Sequence, residues 1–330
     1  MGIIDSIFDI SNFNEPIIYK GSSELKDKKD ALDRLLIEYP GNMKILDELN
    51  MVRKGLFGED EVLYQLKKSN IGMYILRDVK LIYEDMTAQV DFVVLTPLYT
   101  YFIECKNLSG NIVVNEKGDF IIESNFNGRL VRKGMYSPLT QVENQRDIIQ
   151  KIWESRAGKL DKFFFSKKFD YYRRVLVVMA NKESLLDISV APDDIKHKVL
   201  RADSLIRQIE YDFKHKGKDE VLLNKNQLEN AAASYLDACD KYNEDWYTYY
   251  KNLFCNEEFI KESNLNKKLR DFRVKRATEM KCPPYYVFNN EELDKLVEIR
   301  PKTINELEGI LSPIKIRVHG GEIIKIINGV

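Results

Sequence analysis

The sequence predicts an α/β fold, a mixed β-sheet flanked by helices, followed by an all-α helical module. Three observations predict it. From Gly55 a helical period gives way to a series of apolar, strand-like runs, MYILRDVKLIY, TAQVDFVVL and YTYFIECKN. A second helical run, SPLTQVENQRDIIQKIWES, then precedes a buried strand, RRVLVVMAN. From Asn266 onward the pattern is helical only, punctuated by Pro283-Pro284, Pro301 and Pro313.

Along the chain, residues 22–50 read as two amphipathic helices broken at Pro40-Gly41, with Ser23 as a candidate N-cap. GEDEVLYQLKKS is expected to start a helix of its own, with Gly55 and Gly58 at that start permitting close approach to the sheet. After the three strands, NIVVNEKGDFIIES predicts a β-hairpin turning near Gly118, and Ser137-Pro138 opens the next helix. VLRADSLIRQIEYDF supplies a further helix, and the polar KHKGKDE stretch follows it. Residues 222–262 are helical and rich in Tyr and Trp, a pattern of aromatics packing on a neighbour before one of base stacking. The expected domains are an N-terminal helical arm over 1–54, the α/β domain over 55–215, a helical connector over 216–265 and the helical module over 266–330.

Composition narrows the function classes. With 330 residues, 44% hydrophobic and 31% charged, the chain affords a packed core without disordered bias, and a net charge of -1 does not by itself announce a polyanion binder. The first residues, MGIIDSIFDI, carry acids where a leader would carry Lys or Arg, and no apolar run reaches membrane-spanning length, so a cytoplasmic location is expected. Gly2 lacks the polybasic second signal that lipid anchoring needs. Cys105, Cys239, Cys255 and Cys282 are too scattered for a zinc site or a disulfide framework, and His197, His215 and His319 lack ligand spacing. No GxxxxGK[ST] loop is present to bind a nucleotide.

The chemistry concentrates on two strands. In YFIECKN, Glu104 and Lys106 stand two apart and must share a strand face. Asp91 lies in the preceding apolar strand, where an unpaired carboxylate is costly and calls for a cation. Two carboxylates on adjacent strands with the Cys105 backbone carbonyl form an oxygen-rich site suited to Mg²⁺, or Mn²⁺. Glu59 stands three and four residues before Val62 and Leu63, on or beside the inward helix face, so three carboxyl groups are expected to meet at one ion beside Lys106. Gln141 opens the later helix as a donor or acceptor for a phosphate, a water or the carboxylates. An ExK pair alone is an ordinary surface ion pair; Asp91 and Glu59 beside it turn the balance toward a metal site.

In order across residues 55–141, GLFGE, QVDFVV, FIECKNLSGNIVV and SPLTQ resemble the nuclease-related domain family, with the likeness extending over roughly 30–210. The resemblance implies a PD-(D/E)xK, restriction-endonuclease-like sheet with Glu59, Asp91, Glu104, Lys106 and Gln141 at the active site. Val90 stands before Asp91 where the superfamily's name has Pro. Residues 266–327 resemble an HRDC domain in the basic LRDFRVKRA helix, the PPYYVF turn and the final HGGEII helix, although Ser312-Pro313 replaces a glycine-containing turn. Such a module implies auxiliary nucleic-acid or protein contacts, and Arg270, Arg273, Lys275 and Arg276 are the candidate phosphate contacts. Tyr285, Tyr286 and Phe288 are expected in its core. The expectation is a metal-dependent nuclease acting on nucleic acid, DNA ahead of RNA, with a helicase as candidate partner. The rival is a catalytically inactive nucleic-acid-binding scaffold on the same fold.

Overall fold

The computed structural model describes residues 13–156, 169–217, 220, 222–239, 244–255 and 257–329; the first residues, read above for their acids, fall outside them. The chain divides into two compact units, one of residues 1–26 and 53–243 and the other of 27–52 and 244–330.

The first unit is built on a six-stranded mixed sheet. In chain order the early elements are β1 (Pro16–Lys20), helix α1 (Glu24–Glu38), helix α2 (Met43–Lys67), β2 (Met73–Tyr83), β3 (Met86–Leu95) and β4 (Thr100–Lys106), of which residues 27–52 of α1 and α2 belong to the second unit. A second, four-stranded sheet follows with β5 (Asn111–Val114), β6 (Phe120–Phe126) and β7 (Arg129–Met135), then helix α3 (Pro138–Arg156). The chain returns to the main sheet at β8 (Arg173–Met179), adds β9 (Leu186–Asp187) to the second sheet and β10 (Val199–Arg201) to the first, and ends the unit with helices α4 (Leu205–Lys214) and α5 (Lys225–Ala238). The strand orders are β1-β2-β3-β4-β8-β10 and β7-β6-β5-β9. Strands β2, β3 and β4 pair antiparallel, whereas β4-β8 and β8-β10 are parallel. The α/β class expected from the sequence is the class observed.

Two apolar layers sandwich the main sheet. Val62 and Leu66 of α2 pack with Leu205, Ile209 and Phe213 of α4 on one face. Leu139, Val142 and Ile149 of α3, Leu228 and Ala232 of α5 and strand residues Ile112 and Phe120 fill the other. The faces exchange midway. Met73 and Ile75 of β2 face the α2 layer while Val79 and Leu81 face the α3 layer, and Phe92 and Val90 of β3 show the same exchange. Strict alternation forbids this, so the backbone must break its period. Asp78 does so with φ 53°, a left-handed conformation that a short polar side chain tolerates. Lys20 secures the break by donating to the carbonyls of Arg77 and Asp78 at 2.8 and 2.6 Å.

Several elements differ from the sequence reading. Met43–Lys67 is one continuous helix of 25 residues, so Gly55 and Gly58 lie in its interior rather than at a start. The close approach to the sheet is present at Gly58 alone, where a Cβ would lie 2.8 Å from the Asn107 Cβ and 3.2 Å from the Cys105 Sγ, whereas Gly55 faces Leu25 of α1. Val199–Arg201, taken as helical, forms a short parallel strand beside β8. Strands β1 and β7 carry no alternation strong enough to mark them, since each lies at a sheet edge with much of its length half-buried or exposed.

The second unit is helical. It comprises 27–52 from α1 and α2, α6 (Trp246–Phe254), α7 (Glu257–Glu279), α8 (Asn290–Ile299) and α9 (Pro313–Asn328). Leu269, Phe288, Leu293, Leu296, Leu307 and Ile323 centre its C-terminal core. Asn289 and Glu292 form a capping box that starts α8. Phe288 is buried as expected, but Tyr285 and Tyr286 are 59% and 62% exposed. A 3₁₀ turn over Pro284–Tyr286 turns both rings outward before Val287 and Phe288 enter the core.

Candidate active site

The site lies where β3 and β4 part. Their ladder runs from Leu95↔Thr100 to Phe92↔Ile103. One step further, Asp91 stands opposite Glu104, but the side chain of Asp91 replaces the ladder: its Oδ2 accepts the backbone N–H of Cys105 at 2.7 Å. In a strand, the N–H and C=O of one residue point to the same side. The Cys105 carbonyl therefore turns toward the same gap. Lys106 donates to the Glu104 Oε1 at 2.5 Å and to the Gln141 Oε1 at 3.1 Å. Gln141 reaches the strand because α3 packs on that face through Leu139 and Val142.

The electrostatics show an excess of negative charge. Glu104 is 4% exposed and Asp91 is half-buried. Burial first, then the charge of Glu104, pushes the Asp91 carboxyl well above the usual carboxylate range; the Cys105 N–H and Lys106 act the other way without cancelling it. The Cys105 thiol is likewise pushed up by burial and by the carboxylates of Asp91, Glu59 and Glu104. All three acids thus act on one small region.

Glu59 approaches from α2 and is bound elsewhere. Its Oε2 accepts from Ser23 Oγ at 2.8 Å and from Arg77 Nε at 2.7 Å, and Arg77 also donates to Asp60 at 2.7 Å. Burial still raises the Glu59 carboxyl, with Arg77 and Ser23 opposing. Among the described residues, no group of three His, Cys, Asp or Glu side chains is arranged to hold a metal ion. The structure therefore brings together Asp91, Glu104, Lys106, Gln141 and the Cys105 backbone, with Glu59 beside them on an Arg77 tether. Ser23 and Arg77 were not foreseen. Arg77 is buried within a largely apolar strand, where a cation calls for a buried acid.

Residues 54–179 match the family model of the nuclease-related domain, and residues 262–327 match that of the HRDC domain. The chain carries a nuclease-related domain followed by an HRDC domain. The first match begins in α2, before Glu59, and ends with β8, so it encloses every residue of the site except Ser23. No curated protein and no solved structure matches the chain.

In the HRDC domain the basic residues of α7 divide. Arg273 donates to the Phe288 carbonyl at 3.2 Å and the Asn290 side chain at 3.0 Å, stacking its guanidinium 5.7 Å from the Phe288 ring centroid. It is a staple of the domain's own core. Arg270 bonds Asn266 and Arg276 pairs with Glu279, both on the helix surface, and Lys275 is exposed. No helix among the described residues is long and apolar enough to cross a membrane.

Proposed function

We propose that the nuclease-related domain is a metal-dependent nuclease that hydrolyses phosphodiester bonds, in DNA ahead of RNA, with the HRDC domain adding nucleic-acid affinity. The observation that carries this reading is the parting of β3 and β4, which leaves Asp91 and Glu104 opposed at a gap beside the Cys105 carbonyl with Lys106 across it. The residues fit a hard cation. Asp91, held well above its ordinary pKa by burial and then by the charge of Glu104, would be relieved by one, and two carboxylates plus a carbonyl suffice for Mg²⁺ or Mn²⁺, which keep several waters. When bound, such an ion lowers the pKa of a water and stabilises charge on the phosphoryl oxygens.

The chain's own residues do the rest. Lys106, positioned by Glu104 and Gln141, offsets the charge that grows on the phosphoryl group in the transition state or orients the attacking water. Arg77 and Ser23 hold Glu59 as a reserve carboxylate at the margin. The test is a Mg²⁺ and Mn²⁺ titration against labelled single strands, duplexes, flaps and RNA. We expect cleavage that falls by at least about a hundredfold in Asp91→Ala and Lys106→Ala. Cleavage unaltered in both variants overturns the site; binding without cleavage under any metal identifies the scaffold reading instead.

A further inference from the structure

The β6–β7 ribbon stands out as a surface the proposed chemistry does not use. Its strands pair from Phe120↔Met135 to Phe126↔Arg129 around Asn127-Gly128, both in left-handed conformations of φ 51° and 78°. This is a two-residue hairpin turn. The base is anchored by Phe120, Ile122 and Met135 in the α3-side core, but beyond Glu123 every residue to the tip and back to Gly134 is exposed. Phe126 is 69% exposed and Leu130 62%. Phe126, Leu130 and Val131, clustered at the tip of a ribbon that leaves its core, form exposed apolar surface of the kind that marks an interaction site.

The charges say which partner. Arg129, Arg132 and Lys133 face a single acid on the ribbon, Glu123, which pairs with Arg132 at 2.8 Å. Opposed residues share a face, so Phe126, Arg129, Val131 and Lys133 lie on one side and Leu130 and Arg132 on the other. Cations on both faces suit a ribbon with a wall of phosphates on each side. They also oppose edge pairing with a second β7, which would set cation against cation. Connection supports the same partner: β5 begins shortly after Lys106, and β7 runs through Ser137 into α3, whose first turn carries Gln141.

We propose that the β6–β7 ribbon enters the major groove of a duplex and holds it at the carboxylate site. A groove about 12 Å wide admits a two-stranded ribbon. Arg129 and Lys133 would meet one phosphate wall and Arg132 the other, with the apolar tip of Phe126 and Leu130 against base edges. The inference rests on the nucleic-acid reading of the domain but not on turnover.

The experiment measures binding of the full chain, in EDTA, to a fluorescent duplex and to a single strand of equal length across a salt series. We expect Arg129→Ala/Lys133→Ala to bind the duplex about tenfold more weakly at 50 mM salt and to lower the slope of log affinity against log salt by about 2. Arg129→Lys/Lys133→Arg should keep both values, and Phe126→Ala should lose affinity with the slope unchanged. Circular dichroism identical to wild type shows that these exposed positions leave folding intact. Unchanged affinity and slope in the alanine variant, with wild type binding normally, overturns the ribbon alone. Equal losses on single strand and duplex overturn the groove. Absence of wild-type binding overturns both the ribbon and the nucleic-acid reading, and a dimer abolished by the substitutions shows the ribbon to be a self-association surface instead.

Discussion

At the scale of single residues, the site is governed by which charges are answered. Glu59 and Arg77 are a buried pair, 6% and 5% exposed, and removing one partner strands the other. Arg77→Ala should therefore cost about 3–5 kcal/mol in urea denaturation, and adding Glu59→Gln should return a good part of that loss. Asp91 is the opposite case, an acid whose neighbours do not suffice. Because its folded pKa is raised, its favourable contribution is complete below the unfolded value near 3.8 and is lost as pH rises through the folded one. Metal-free protein should then lose stability as pH rises above that unfolded value. Asp91→Asn, which keeps an acceptor for the Cys105 N–H, should raise its melting temperature at pH 8 by about 2 °C or more and converge with wild type near pH 4. If Asp91→Asn is no more stable than wild type at pH 8, the uncompensated charge is not there.

At the scale of elements, two glycines of α2 make a matched test. On Gly58, a Cβ would press within 2.8 Å of the Asn107 Cβ and 3.2 Å of the Cys105 Sγ, groups fixed at the end of β4. Gly58→Ala should cost about 1–3 kcal/mol despite the gain in helix propensity, and should lower cleavage by displacing the strand end that carries the site. On Gly55, the nearest atom is the Leu25 Cδ1 at 2.9 Å, the free end of a side chain that can rotate. Gly55→Ala should be neutral or stabilise by up to about 1 kcal/mol through propensity. Equal effects of the two substitutions in thermal melts would remove the close packing of α2 on β4 from the account. The helix cap of α8 is simpler: Asn289→Ala leaves the capping box unmade and should cost about 1 kcal/mol.

At the scale of the whole molecule, the two compact units have separate apolar cores. Phe288, fully buried in the C-terminal core, also receives the Arg273 staple through its carbonyl. Phe288→Ala should destabilise that core by about 3–5 kcal/mol. Hydrogen exchange should show faster exchange across 265–327 with protection in β3 and β4 unchanged; equal acceleration in both would mean that the chain unfolds as one cooperative body.

Much of this was legible in the residues and some was not. Asp91, Glu104, Lys106 and Gln141 declared themselves because an acid in an apolar strand and a same-face ExK pair are local patterns, and the strand and helix periods that carry them are local too. The Asn127-Gly128 turn was also written in the sequence, as the strongest short hairpin signal, yet the exposed ribbon around it lacks the apolar alternation by which strands are recognised. The tether of Glu59 to Ser23 and Arg77, the exchange of sheet faces at Asp78 and Asp91, and the joining of 27–52 to the C-terminal helices join parts of the chain far apart in sequence. The sequence by itself determined the fold class and the order of the nuclease-related and HRDC domains, and it marked the candidate acids, since propensity and period act within a few residues. Only the tertiary structure decided which carboxylates share the gap and which one is held by an arginine, because that depends on where an open ladder and a broken strand period bring side chains from separate elements.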